Sequence, residues 1–198
     1  MLLLVTLAGF AASAALTFHF ILNRPIQSDS AVLKVPTASL HKPETVEEVS
    51  YGLPMRLKIP KINIDARLDN VGLTPQGDLD VPKGPANAAW YHLGVRPGQK
   101  GSSVIVGHFG YKNRIPAVFD NLHKLQEGDN LYVEDEKGAT ISFVVRESRK
   151  YEPNADASSV FLSNDGKAHL NLITCQGVWN ETQKSYSTRL VVFADKET

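Results

Sequence analysis

Apolar positions divide the chain into three stretches. From Met1 to Leu22 (MLLLVTLAGFAASAALTFHFIL) they run almost unbroken, and no Asp, Glu, Lys or Arg occurs before Arg24. A helix of that length, at about 1.5 Å per residue, spans the ~30 Å hydrocarbon core of a bilayer, which predicts a transmembrane anchor over residues 1–22. A cleaved signal peptide is the rival reading. Ala12-Ser13-Ala14 has suitable spacing for cleavage, but a basic leader is missing and the apolar run continues through Ile21 and Leu22. Residues 23–54 hold no helical or strand period, carry Pro25, Pro36, Pro43 and Pro54, and read as a flexible linker.

From Met55 the pattern becomes short strands divided by turn residues, so residues 55–198 are expected to form one domain. Arg56-Leu57-Lys58-Ile59 and Ile62-Asn63-Ile64-Asp65 alternate apolar with polar on either side of Pro60-Lys61. Ser103 to Gly107 is a short β-branched run of the kind buried on both faces. Asn130–Asp135 and Ala139–Arg146 flank Glu136-Lys137-Gly138 as a hairpin, and His169–Cys175 and Arg189–Ala194 complete the strands. Val118, Phe119, Leu122 and Leu125 recur at helical spacing behind Pro116, predicting a helix over 116–125, with one more turn at 157–162. Many short strands with little helix indicate an all-β closed barrel or sandwich.

Composition narrows the function. Lys plus Arg and Asp plus Glu number 21 each, so no global field draws nucleic acid to the chain. No Cys/His set has zinc spacing, the acidic Glu134-Asp135-Glu136 reads as a solvated hairpin, and neither a metal nor a cofactor is expected. Cys175 is the single cysteine. An exported chain normally pairs its cysteines, so a lone thiol is either a small buried hydrophobe or a reactive group.

His108 closes one apolar strand, Cys175 closes a second and Arg189 opens a third, which aims three reactive side chains from strand ends at a common cleft. Val104-Ile105-Val106-Gly107-His108, Leu172-Ile173-Thr174-Cys175 and Arg189-Leu190-Val191-Val192-Phe193-Ala194 occur in that order, at intervals of 67 and 14 residues. With Ile59-Pro60-Lys61-Ile62, Pro97-Gly98-Gln99-Lys100-Gly101 and Glu127-Gly128-Asp129, the chain from about Met55 onward resembles the sortase family of cysteine transpeptidases. Trp90-Tyr91, the compact helix after His108 and the short Cys175-to-Arg189 segment look most like the smaller class D to F sortases. The resemblance implies a closed β-barrel of about eight strands with one or two short helices, preceded by the transmembrane helix.

The chemistry of these residues fits. A thiolate is strongly nucleophilic, an imidazole donates or accepts a proton near neutrality, and a fixed guanidinium stabilises an oxyanion. By resemblance, Cys175 is the nucleophile, His108 the proton donor and acceptor, and Arg189 the oxyanion partner. His169 shares the face of Cys175, but six residues at about 3.3 Å put it ~20 Å away, too far for a base. The order His before Cys excludes papain-like and NlpC/P60-like arrangements. Thr174-Cys175-Gln176-Gly177 differs from the SxGC segment of L,D-transpeptidases.

The implied reaction is cleavage of an LPxTG-like C-terminal sorting signal on surface proteins. Transfer would then go to an amine of a cell-wall precursor or another protein. Thr174, Val178, Trp179 and the 153–162 segment are the expected substrate contacts. Two alternatives remain: an endopeptidase that gives its acyl-enzyme to water, and a noncatalytic surface-binding barrel. The first basic residues, Arg24 and Lys34, follow the span, and the positive-inside rule would put that side in the cytoplasm. The nature of the chemistry is the reason to place the domain outside, on a single-pass anchor in the cell membrane.

Overall fold

The computed structural model describes residues 50–112, 115–153, 155–182 and 185–198. The expected membrane span, and the linker up to residue 49, lie outside the described residues. In chain order the strands are β1 (Pro54–Ile59), β2 (Ile64–Val71), β3 (Ala88–Tyr91), β4 (Gly101–Gly107), β5 (Tyr111–Lys112), β6 (Ile115–Pro116), β7 (Asn130–Asp135), β8 (Thr140–Tyr151), β9 (Ala168–Asn180) and β10 (Ser185–Lys196). One short helix, α1 (Ser158–Phe161), lies between β8 and β9. Eight strands close a barrel in the order β1-β2-β3-β4-β9-β10-β8-β7, and β5-β6 is a separate two-stranded hairpin. The β2/β3 and β4/β9 pairs are parallel; the other barrel pairs are antiparallel.

Strand alternation divides the side chains between an interior and one covered outer face. Leu57, Ile59, Ile105, Leu131, Val133, Phe143, Leu170, Leu172, Leu190 and Val192 fill the barrel. Fully burying a side chain of this kind contributes about 1.5–3 kcal/mol, so this interior carries most of the stability. The intervening positions Val104, Ile173, Val191 and Phe193 point outward, where Val160, Ala157 and Phe161 of the α1 segment cover them. Burial on both faces is why Val104-Ile105-Val106 reads as an unbroken apolar run.

Several expected elements differ. Ile62 closes a 3-10 turn (Pro60–Ile62) rather than opening a strand, and Asn63 takes a left-handed conformation with its N–H on the Pro60 carbonyl. The helix expected over 116–125 is absent apart from a 3-10 turn at Leu122–Lys124. Phe119, Leu122 and Leu125 are buried and Val118 is partly buried, but the N–H groups of Ala117, Val118 and Phe119 bond to the carbonyls of Gly110, Pro85 and His108. Those donors are thereby lost to the long-range partners that fix the segment across the barrel end, and no α-helix nucleates. The acidic hairpin is not freely solvated either. Asp135 is buried and accepts from the N–H groups of Gly52, Lys137 and Ala139, while Glu134 pairs with Lys58.

Candidate active site

Three neighbouring strands bring His108, Cys175 and Arg189 together. Every parallel pair of β4 with β9 has the same offset, ending at Val106 with Ile173. Thr174 continues it, its Oγ1 donating to the Gly107 carbonyl at 2.8 Å. The next step of that offset sets His108 beside Cys175, so the 67-residue interval in the sequence is the register of the two strands. On the other side, Arg189 is the antiparallel partner of Cys175. The thiol therefore stands between an imidazole and a guanidinium, each one strand away.

All three side chains alternate onto the outer face. Cys175 lies two residues beyond Ile173, Arg189 two before Val191 and His108 two beyond Val106, and each of those apolar residues packs on the outside. The strands extend further than the sequence indicated. β9 runs on to Asn180 and β10 begins at Ser185, so Cys175 and Arg189 lie within a long hairpin rather than at strand ends. Only β4 stops at the site, and its ending leaves Cys175 open on that side.

The guanidinium is held by its own strand. Arg189 Nη1 donates to the carbonyls of Tyr186 (3.1 Å) and Thr188 (3.2 Å), and Nη2 donates to Ser185 Oγ at 3.2 Å. Of five N–H donors this commits three, so Nε–H and one Nη2–H remain uncommitted among the described residues. His108 Nε2 donates to the Pro82 carbonyl at 2.7 Å, which leaves Nδ1 as the second ring nitrogen. Burial pushes the half-buried Cys175 thiol above its ordinary range, and the Arg189 charge opposes that rise.

The expected substrate contacts divide. Thr174 is 2% exposed and bonded to Gly107, so it ties β9 to β4 and offers no surface to a peptide. Its position of even parity explains this, since it faces inward while Cys175 faces out. Val178 and Trp179 are exposed beside the site. Gly177 adopts φ 92°, and a Cβ there would meet Ser187 Oγ at 2.2 Å, so glycine is required where the strand bends past the thiol.

Sequence reasoning missed the aromatic group that supports the three residues. The Tyr186 ring packs edge-on against Phe109 (5.3 Å between centroids) and Trp179 (5.1 Å). Phe109 follows His108, and Tyr186 supplies a carbonyl to Arg189. Each stands close in sequence to a reactive residue, a signal that carries weight only once the strands are paired.

Solved structures with a similar fold include sortase C-1 from Actinomyces oris (formerly Actinomyces naeslundii), at 23% identity and TM-score 0.58 over 72% of this chain and 73% of that one. Sortase C1 from Streptococcus agalactiae has 23% identity and TM-score 0.58, over 73% of this chain and 67% of that one. Sortase A from Corynebacterium diphtheriae has 22% identity and TM-score 0.57, over 76% of this chain and 63% of that one. A search of curated proteins finds no match to the sequence. The model of the sortase domain matches residues 57–197, from within β1 to just past the end of β10, and the chain belongs to the sortase family.

Proposed function

We propose that this sortase is a membrane-anchored cysteine transpeptidase that cleaves an LPxTG-like sorting signal after its threonine and passes the acyl group to an amine. The observation that supports the reading is the pairing of Arg189 with Cys175, together with a β4–β9 offset that, continued past Val106–Ile173, brings His108 alongside the thiol. The Cys175 thiolate attacks the scissile carbonyl carbon, and the oxyanion so formed lies against the free N–H groups of Arg189. As the C–N bond breaks, His108 gives a proton to the leaving amine and a thioester remains on Cys175. The incoming amine loses its proton to His108 and attacks the thioester, and the thiolate leaves. With Nε2 held by Pro82, Nδ1 is the ring nitrogen that exchanges the proton.

The acyl donor is a surface protein carrying the signal at its C-terminus, and the acceptor is an amine of a cell-wall precursor or of a second protein. The apolar segment 1–22 anchors the enzyme, with the barrel on the outer side of the membrane. The test is incubation of the full-length protein in detergent with a panel of LPxTG-like peptides and an amine, with products identified by mass. A product joining the threonine carboxyl to the amine supports transpeptidation. Free acid alone assigns an endopeptidase, and intact peptide throughout the panel refutes the reading.

A further inference from the structure

The segment between β8 and β9 lays α1 beside the strand that bears the thiol. Val160 is fully buried against Val104, Val191 and Phe193, with Ile173 and Phe161 packed around it. Ile173 lies two residues before Cys175 on the same face, so a peptide extended along that strand from the thiol runs toward α1. Beyond α1 the apolar packing ends. Leu162 is 73% exposed, and a cavity of about 120 Å³ opens between Ser159 and Ser163 on the loop side and Ser102 on the sheet.

Polar bonds hold the loop across that gap. Asn171 Nδ2 donates to the Val160 carbonyl at 2.6 Å. His169, 5% exposed, is clasped between two carboxylates: Nε2 lies 3.0 and 3.1 Å from the Asp165 oxygens, and Nδ1 lies 2.7 Å from Asp195 Oδ1. Asp165 belongs to the loop and Asp195 to β10, so one ring joins the loop to two barrel strands. Asp165 is braced in turn by the Lys167 N–H (2.9 Å) and the Ser163 hydroxyl (2.9 Å). The bond to His169, with these two, holds the Asp165 carboxyl well below the usual carboxylate range. Arg146 pairs with Asp195 from the adjoining strand β8, which fixes the far end.

We propose that the Asp165–His169–Asp195 bridge is a staple that fixes the α1 loop beside the peptide groove and so sets how well the acyl-donor peptide is recognised. His169 and Asp165 are positioning residues about six residues of extended strand or more from the thiol, beyond the reach of any proton transfer. The inference rests on the acyl-transfer reading of the site. Its physical content is that the bridge raises the population in which the loop stays packed on the sheet; a peptide that reads only that packed form loses affinity in proportion as the population falls.

Asp165→Ala is the primary variant, because Asp165 is half-exposed and its loss strands no buried charge on the loop. His169→Gln, whose amide nitrogen can donate to only one of the two carboxylates, is the intermediate companion. In the full-length protein, Asp165→Ala is expected to raise KM for the sorting peptide about fivefold to tenfold with kcat changed less than about twofold, the signature of lost ground-state recognition. Alkylation of Cys175 without peptide stays at the wild-type rate, and the Val160 and Leu162 amides exchange hydrogen at least about tenfold faster. His169→Gln should fall between wild type and Asp165→Ala on both readouts. Unchanged KM overturns the proposal, even if exchange quickens, because the staple then holds a loop that the peptide does not read. Equal losses in kcat and alkylation overturn it too, by assigning a general structural role. If the wild type cleaves no peptide, the acyl-transfer reading fails separately; unchanged amide exchange in Asp165→Ala would still overturn the staple.

Discussion

Arg189 and Cys175 are direct cross-strand partners, so the guanidinium and the thiol share one face of one rung of the β9–β10 hairpin. Burial raises the thiol pKa, and the Arg189 charge is the force that lowers it. Removing the cation therefore moves the thiol's titration to higher pH. In Arg189→Gln the pH midpoint of Cys175 alkylation is expected to rise, and transpeptidation to fall about a hundredfold or more with the oxyanion donors gone. Arg189→Lys should recover part of the midpoint but little turnover, because an ammonium has three N–H donors against five and cannot both make the three anchoring bonds and donate to the oxyanion in a planar fork. Stopped-flow alkylation across pH reads the first quantity; a midpoint that stays put in Arg189→Gln refutes the coupling.

Cys175→Ala is expected to lose acyl transfer altogether while keeping the fold, since it deletes one half-buried sulfur and leaves Cβ in place. His108→Ala should lose about a hundredfold or more in rate, the scale of a proton-transfer group. Mass analysis of peptide products, with circular dichroism for the fold, checks both. Full turnover by Cys175→Ala would remove the catalytic reading.

Much of the barrel was legible because its strands alternate or run apolar by simple rules. Leu170 and Leu172 against Ile173 show the two faces of β9 in the sequence itself. The juxtaposition of the candidate residues was legible in part, as an imidazole, a thiol and a guanidinium beside three apolar runs that the barrel sets on neighbouring strands. What local pattern could not supply was long-range pairing. The 116–125 segment has a helix's apolar spacing but spends its N–H groups on Gly110, Pro85 and His108. Thr174 looked like part of the site because it adjoins Cys175, yet strand parity turns it inward. Tyr186 is invisible as a support until β9 and β10 are aligned and its ring meets Phe109 and Trp179.

Gly107 is a position where the pairing leaves no room for a side chain. A Cβ there would lie 2.5 Å from Phe119 Cδ2 and 2.7 Å from Val118 Cγ1, and Phe119 is fully buried. Gly107→Ala is expected to cost about 1–3 kcal/mol, the usual scale of overpacking. Because His108 is the next residue, kcat should fall as well. Calorimetry together with peptide turnover checks this, and a variant with wild-type Tm would mean the strand end yields freely.

Asp135 gives the acid limb of stability. Burial alone would raise its pKa, but the N–H groups of Gly52, Ala139 and Lys137, with the Lys137 charge, outweigh it and hold the carboxyl below its ordinary range. A folded pKa below the unfolded one means the carboxylate stabilises the fold above about pH 4, and this is lost as pH falls through the folded value. Asp135→Asn should therefore lower Tm near neutrality, with the gap to wild type closing toward about pH 3. A gap that is constant with pH would assign the loss to packing.

Trp179 tests the groove. It is 42% exposed, lies on β9 four residues past Cys175 and touches Tyr186 edge-on, so the indole is packed on Tyr186 and still partly open to solvent. A core tryptophan would cost about 3–5 kcal/mol on truncation, whereas one that presents an open face to a ligand costs far less in the free protein. Trp179→Ala is expected to raise KM for the sorting peptide several-fold, on the scale of one partly buried apolar contact, with Tm almost unchanged. Trp179→Phe should keep the contact with Tyr186 and recover part of the affinity. Peptide kinetics and thermal unfolding on the same preparations separate the outcomes: a large fall in Tm with unchanged peptide preference would move Trp179 out of the groove and into the support of Tyr186.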